Sequence, residues 1–176
     1  MSNYLEQLKL KSELKVMFIC LGNICRSPMA AAVLHTKTRD WTAPKILVSS
    51  SGTGSWHVGE GPNQKSKKVW ESAGYQYDHV AQQFKNTMFD AHDLFLVMDK
   101  SNYDNVMALS TAQSNKKVFF LRQLDPALSS LNPIDNYREL EVPDPYYEPL
   151  SAYQEVLQMV ESSVDGLLQL LIRSSR

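Results

Sequence analysis

Short apolar runs alternate along the chain with longer segments in which apolar positions recur at helical spacing. The runs predict four buried strands, at residues 16–20, 45–49, 93–99 and 117–121. The amphipathic segments predict helices at about 28–39, 63–73, 102–110 and 151–172. Gly74 is expected to follow the second helix and Ser101 to cap the third. A polar stretch with several prolines, 125–149, precedes the last helix.

The alternation of strands and helices predicts the fold class. Such an order gives a parallel sheet covered on both faces, and continuous apolar strands fit that sheet better than half-exposed antiparallel strands do. We therefore expect a single α/β domain with a doubly wound, four-stranded parallel sheet flanked by helices. Ligands bind such sheets beyond the carboxyl ends of the strands, so the loop after the first strand is the expected place for a site.

Composition and charge exclude several functions. The chain has 176 residues and a formal net charge of −1, and 43% of it is hydrophobic, which is typical of a globular domain. Without a basic patch, we expect no nucleic-acid partner. The longest apolar run, 16–21, is too short to cross a membrane, and residues 1–13 lack the apolar core of a signal peptide. We expect a cytoplasmic protein without membrane attachment.

The pattern divides the chain into an N-terminal arm and a domain. The arm, residues 1–14, mixes Lys and Glu with isolated leucines, which fits either a disordered segment or a short helix. The domain is expected to occupy residues 15–173. The sequence leaves the oligomeric state open, between a monomer and weak self-association.

The cysteines and histidines argue against a disulfide framework and a metal site. The two cysteines, Cys20 and Cys25, are both in the loop after the first strand, and C-x4-C without a second pair does not match a zinc site. The four histidines are scattered without ligand spacing: His35, His57, His79 and His92. We expect no metal and no cofactor.

The loop itself predicts an anion site. It reads Cys20-Leu-Gly-Asn-Ile-Cys-Arg26 and is followed by Ser27 and Pro28. A turn of this length can direct successive backbone N–H groups inward. Ser27 is expected to cap a helix that starts at Pro28, so that the positive end of the helix faces the enclosed space. The result would be a phosphate-binding loop with a thiol at its base.

Several segments resemble the low-molecular-weight protein tyrosine phosphatases. The strongest are CLGNICRSP at 20–28 and DPYY at 144–147. Between them, 50–59 is similar to that family's second loop, 79–83 to its His-x-Ala-Arg-Gln segment and 98–102 to its third-strand end. The resemblance implies a cysteine-dependent enzyme that hydrolyses phosphotyrosine through a phosphocysteine on a four-stranded doubly wound domain. Its partners would be phosphotyrosine proteins or aryl phosphates, with inorganic phosphate as product.

The chemistry needs three catalytic groups. Cys20 is the expected nucleophile, because helix N-termini and cations favour the reactive thiolate. Arg26 offers a planar fork of donors that can hold two phosphate oxygens. Asp144, between Pro143 and Pro145, is the expected general acid for the poor phenolate leaving group. An ordinary Asp-Pro turn is the alternative for Asp144, since Asp125 precedes a proline as well.

Further residues are expected around these three. The phosphate-binding loop comprises Leu21, Gly22, Asn23, Ile24, Cys25 and Arg26. By resemblance, supporting positions are Ser27, Ser50, His79 and Asp99, with His79 as a partner of Asn23. Besides capping the helix, Ser27 is expected to hydrogen-bond the Cys20 sulfur and ease its departure, and the two roles can coexist. The expected walls for an aromatic ring are Leu21, Ile24, Trp56, Tyr146 and Tyr147. Cys25 is also expected to form a reversible disulfide with Cys20 under oxidation, or else simply to fill the loop.

Three positions depart from the family pattern and three other functions compete. Gln82 stands in place of an arginine, Ser55 in place of an acidic residue, and Ala31 in place of a glutamate, which leaves entrance charge and partner choice open. Arsenate reduction usually needs a further distal cysteine, which this chain lacks. A redox switch would not require Arg26 or Asp144, and a catalytically silent phosphate-binding module would not require Cys20 or Asp144.

Overall fold

The computed structural model describes residues 3–172, and in this part of the chain one parallel sheet has the strand order β2-β1-β3-β4. The strands are β1 Glu13–Cys20, β2 Lys45–Gly52, β3 Leu94–Val97 and β4 Val118–Phe120. The predicted fold class is confirmed. β2 extends three residues beyond its predicted end, because its polar Ser-Ser-Gly segment pairs with β1 as far as Cys20 opposite Gly52.

Helices cover both faces of the sheet. They are α1 Asn3–Leu8, α2 Arg26–Thr38, α3 Gln64–Ser72, α4 Met88–Ala91, α5 Lys100–Ala108 and α6 Leu150–Leu171. Short 3-10 helices occupy much of 115–140, within which the sequence predicted only the strand and a polar stretch. Within residues 3–172 no helix is both long and apolar enough to span a bilayer.

The two faces of β1 separate two cores. Val16 and Phe18 point into the larger core, which includes α2, α3 and α6, whereas Met17 and Ile19 point into the smaller core with α4 and α5. This alternation is the period-two geometry of a strand. Because β1 is central and both of its faces are buried, the backbone that carries Cys20 at its carboxyl end is held rigidly.

The segment predicted as an arm packs against the domain. Leu5 and Leu8 of α1 are 4% and 1% exposed and belong to the larger core. The hydroxyl of Tyr4 donates to the backbone carbonyl of Asp93 over 2.6 Å. β1 begins at Glu13, inside the predicted arm. The predicted domain end at 173 lies outside the described residues.

Two predicted helix caps were wrong. α2 begins at Arg26, with Cys25 at the cap position and no side-chain cap. Ser27 therefore lies within the first turn, and its hydroxyl contacts the sulfur of Cys20 instead of capping the helix. α5 is capped by Asp99 rather than Ser101. The Asp99 carboxylate accepts from the N–H of Asn102 at 2.8 Å, and the Asn102 side chain accepts from the N–H of Asp99 at 3.2 Å. Asp99, two residues after β3, occupies the cap position, so Ser101 lies inside the first turn of α5.

Candidate active site

The loop from Cys20 to Arg26 lies at the carboxyl end of β1, the place predicted for a site. Cys20 ends the strand and is 2% exposed. The end of β2 packs tightly against the loop, because Thr53 and Gly54 donate backbone N–H groups to the carbonyls of Cys20 and Leu21, each at 2.9 Å. At Gly52 a Cβ atom would lie only 2.7 Å from the carbonyl oxygen of Leu21. Only glycine permits this close approach of the two backbones.

Asn23 ties the loop to its surroundings and has a φ of 57°, in the left-handed region that asparagine tolerates. Its side-chain Nδ2 donates to Ser27 Oγ at 2.8 Å and to Ser50 Oγ at 3.0 Å. Its Oδ1 accepts from the backbone N–H of Gln82 at 2.9 Å. The Nε2 of His79 lies 2.6 Å from the Asn23 carbonyl, which can only accept, so this nitrogen carries the hydrogen. Burial lowers the pKa of His79, although the hydrogen bond to Asn23 opposes that effect.

Ser27 is directed at the sulfur. Its Oγ lies 3.0 Å from Cys20 Sγ, and the N–H of Asn23 donates to the same sulfur at 3.3 Å. Because Ser27 Oγ accepts from the Asn23 amide, its own hydrogen is available to the sulfur. A longer contact of 3.5 Å to the Ser51 carbonyl competes for that hydrogen. Two donors therefore converge on the sulfur of Cys20.

Arg26 is a fixed, buried cation. It is 2% exposed, and its Nη1 donates to Asp99 Oδ2 at 2.7 Å and to the carbonyl of Val142 at 3.0 Å. Its Nη2 lies 3.6 Å from Asp144 Oδ2. Burial would lower the pKa of the guanidinium, but the charges of Cys20, Asp99 and Asp144 outweigh it and raise the pKa. The fork is therefore held charged and oriented before any anion arrives.

Asp144 lies at the mouth of the site. Its side chain is 42% exposed, and its Oδ1 accepts from the N–H of Tyr146 at 3.2 Å. The hydroxyl of Tyr153 donates to the carbonyl of Tyr146 at 3.4 Å, which ties this loop to α6. Asp125, the competing Asp-Pro position, is 9% exposed and caps a 3-10 helix by accepting from the N–H of Ala127 at 2.9 Å. The structure thus separates a structural aspartate from one that faces a cavity.

One cavity unites these groups. It has a volume of about 220 Å³ and is lined by Cys20, Leu21, Gly22, Ile24, Cys25, Arg26, Trp56, His57, Asp144, Tyr146 and Tyr147. All five residues predicted as walls line it. Trp56 and Tyr147 are 71% and 93% exposed. Their placement leaves aromatic surface uncovered around the entrance.

His57 is the lining residue that sequence reasoning missed. The scattered histidines argue against a metal site, and only the position of His57 directly after Trp56 in the second loop indicates that it shares the cavity. Its Nδ1 lies 2.7 Å from a carboxylate oxygen of Glu60. A hydrogen bond from Nδ1 to this carboxylate fixes the orientation of the ring above Gly22.

Cys25 lines the cavity and also contacts α6. It is 5% exposed, and its Sγ is 3.8 Å from the hydroxyl of Tyr153. Burial raises the pKa of the Cys25 thiol to about 12. The thiol is therefore protonated at neutral pH. Both cysteines are free.

The three departures from the expected pattern differ in position. Gln82 stabilises the loop through two hydrogen bonds. Its side chain donates to the Ser50 carbonyl at 3.0 Å, and its backbone N–H donates to Asn23 Oδ1. Ala31 is fully buried in α2, where a glutamate would lack solvent. Ser55 is exposed beside Trp56.

A buried arginine and a free thiol within one loop that joins a strand to a helix define the class of cysteine-dependent phosphatases. Residues 15–176 match the low molecular weight phosphotyrosine protein phosphatase family. The low molecular weight protein-tyrosine-phosphatase of Streptomyces coelicolor is 38% identical over 156 residues, which cover 88% of this chain and 91% of that relative. The chain belongs to this family, and the predicted enzyme class is confirmed.

Two further comparisons agree with the family. The phosphatase PtpA of Staphylococcus aureus is 35% identical over 91% of this chain and 95% of its own length. The crystal structure of a protein tyrosine phosphatase from Entamoeba histolytica has a TM-score of 0.78 and 30% identity, and the match covers 89% of this chain and 95% of that chain. The match therefore extends over nearly the full length of each relative.

Proposed function

We propose that this chain hydrolyses phosphotyrosine through a phosphocysteine on Cys20, with Asp144 as general acid and then general base. The observation that carries the proposal is the single cavity that contains Cys20, Arg26, Asp144 and several aromatic walls. A phosphate bound there would meet the guanidinium fork of Arg26 and backbone N–H groups of the loop 21–26. The aromatic ring would then extend between Trp56 and Tyr147.

In the first step the Cys20 thiolate attacks phosphorus in line and the bond to the tyrosyl oxygen breaks. Protonated Asp144 gives its proton to the departing oxygen, because a phenolate is a poor leaving group. Arg26 holds the equatorial oxygens as their charge is redistributed. Asn23, Ser50 and His79 act as positioning residues for the loop, and Asp99 does so for Arg26.

In the second step water attacks phosphorus, Asp144 takes a proton from it, and the sulfur–phosphorus bond breaks to release inorganic phosphate. The sulfur departs as a thiolate. The Ser27 hydroxyl, 3.0 Å from that sulfur, stabilises the leaving charge by donating a hydrogen bond. No cofactor takes part in either step.

Oxidation would switch this chemistry off reversibly. A peroxide converts the Cys20 thiolate to a sulfenic acid, and Cys25 then displaces its oxygen as water to form a disulfide. The neighbouring position of the two sulfurs in one loop supports this step. Because the Cys25 thiol is protonated, it must lose its proton as it attacks. The expected cytoplasmic location and weak or absent self-association stay predictions.

Replacement of the nucleophile tests the reaction. Cys20→Ser should abolish turnover of phosphotyrosine and of an aryl phosphate while phosphate affinity persists, and Cys25→Ser is the matched control that should keep turnover but lose reversible recovery after peroxide. Phosphoserine and phosphoarginine should be poor substrates in parallel assays. Persistent hydrolysis by Cys20→Ser would contradict the proposal.

The acid role has its own test. Asp144→Asn keeps the shape of the side chain but cannot donate a carboxylic proton, so the loss should be largest for poor leaving groups and reach about 100-fold or more. Asp135→Asn, at an exposed position away from the cavity, is the control. An equal loss across leaving groups would contradict proton donation.

A further inference from the structure

A second groove lies beside the candidate active site and shares a wall with it. The groove has a volume of about 350 Å³, and both Leu21 and Trp56 line it as well as the catalytic cavity. Its opposite wall is the end of α5, where Leu109 is 48% exposed beside Ala108. Phe84, which is 5% exposed, contributes a further apolar surface.

The indole of Trp56 is a wall common to the two spaces. A Cβ atom on Gly54 would lie 1.9 Å from Cζ3 of that ring, so the ring rests directly on the backbone of Gly54. Gly54 is anchored in turn by its N–H, which donates to the Leu21 carbonyl at 2.9 Å. The groove is therefore fixed relative to the loop that is proposed to bind phosphate, and Leu21 and Trp56 are walls common to the two spaces.

Among residues 3–172, those that line the groove include no ionisable side chain. Besides its apolar residues it contains glycine and the neutral polar residues Thr53, Gln83 and Asn105. Transfer of an aliphatic side chain from water into the groove is favourable. A carboxylate or ammonium group would lose hydration there without an opposite charge to compensate for it. The groove therefore suits an apolar side chain and disfavours a charged one.

We propose that this groove is a specificity subsite, and that it takes an apolar side chain two residues away from the phosphotyrosine of a polypeptide substrate. The inference rests on the proposed function, since the phosphotyrosine must occupy the adjoining cavity. In an extended peptide, side chains at i and i+2 point the same way and lie roughly 7 Å apart. That spacing fits two pockets that share one indole as a wall, whereas the immediate neighbour of the phosphotyrosine would point to the opposite side.

Phosphopeptides of one sequence, with Leu, Ala or Glu at either position two residues from the phosphotyrosine, test the proposal. For one of the two positions, kcat/KM should be about tenfold higher with Leu than with Ala, and lower still with Glu. Leu109→Asn should remove this preference while hydrolysis of an unsubstituted aryl phosphate is unchanged. The matched control is Ile134→Asn, which alters a residue that is 82% exposed and outside the groove.

Affinity gives a second measurement that does not depend on turnover. The same peptides should bind Cys20→Ser with the same order of Kd values, and Leu109→Asn combined with Cys20→Ser should abolish the order. An absence of preference among the peptides, or a preference that survives Leu109→Asn, would overturn the subsite. Absence of aryl phosphate hydrolysis by the unaltered protein would instead contradict the proposed function. The peptide affinities would still show whether the groove prefers an apolar side chain.

Discussion

The Nη1 of Arg26 donates to Oδ2 of Asp99 across 2.7 Å, although the two residues lie 73 positions apart in the sequence. Asp99 follows β3 and caps α5, whereas Arg26 opens α2 after β1. Because β1 and β3 are adjacent parallel strands, their carboxyl ends bring the two side chains together. The same carboxylate thus begins a helix and orients the cation of the candidate active site.

Asp99→Asn should weaken phosphate binding and catalysis without loss of the helix cap. Asparagine caps helices as well as aspartate does, but it removes the charge beside Arg26. We expect kcat/KM to fall by about tenfold or more, since hydrogen bonds to charged groups contribute about 1.5–3 kcal/mol. Asp104→Asn, in the same helix, removes only an exposed ion pair with Lys100 and is the control. Unchanged affinity for inorganic phosphate would contradict the assigned role.

Ser27→Ala should slow breakdown of the phosphoenzyme more than its formation. The hydroxyl stabilises the sulfur as a leaving group, and its loss should reduce the rate of the second step by about tenfold or more. Rapid-quench measurement should then show a burst of aryl alcohol followed by a slow steady state.

Ser50→Ala is the matched control for Ser27→Ala. It removes the other side-chain acceptor of the Asn23 amide but has no contact with the sulfur among its described hydrogen bonds. A burst of similar size in both variants would indicate that Ser27 acts only through the shape of the loop.

Gly166→Ala should destabilise the protein, although alanine normally stabilises a helix interior relative to glycine. Within α6, a Cβ at this position would lie 1.8 Å from the backbone carbonyl oxygen of Leu124. The resulting displacement should cost about 1–3 kcal/mol of unfolding free energy, measured by urea denaturation. Ser162→Ala, on the exposed side of the same helix, should be neutral or stabilising. A gain in stability from Gly166→Ala would show that the contact is easily relieved.

Asp93 should contribute to stability only above its folded-state pKa. Burial alone would raise the pKa of this carboxyl, but the hydrogen bonds from Lys11 Nζ at 2.6 Å and the N–H of Lys15 at 2.8 Å outweigh it and lower the pKa below 3.8. The unfolded chain therefore takes up the proton first as pH falls, and the stabilisation is lost as pH decreases from about 4 through the folded value.

Urea unfolding from about pH 6 to about pH 3 measures this contribution. Asp93→Asn should lower the free energy of unfolding at the upper end of the range. The unfolding free energy of this variant should also depend less steeply on pH than that of the unaltered protein. Asp90→Asn, at an exposed position nearby, should keep the original pH dependence. Parallel curves for Asp93→Asn and the unaltered protein would contradict the prediction.

The sequence predicted the strands and the position of the loop because both depend on local patterns. It failed at both cap positions. The Ser27 hydroxyl contacts the sulfur, as expected, but does not cap α2, because that helix already begins at Arg26. Asp99 caps α5 in place of Ser101, because β3 ends at Val97 and not at the predicted residue 99. The carbonyl of Val142 and the ring of His57 reach the site through folding of distant or irregular segments. Such contacts depend on strand order and loop conformation, which hydrophobic periodicity does not specify.

The packing of α1 has a practical consequence for the design of shorter variants. The family match starts at residue 15, two positions inside β1, and leaves out the helix whose Leu5 and Leu8 close one end of the larger core. A protein shortened to the matched region would expose apolar surface and lose the first pairs of its central strand. The first residue of a shortened variant should therefore be chosen from the buried surface of this chain and not from the part of it that matches the family.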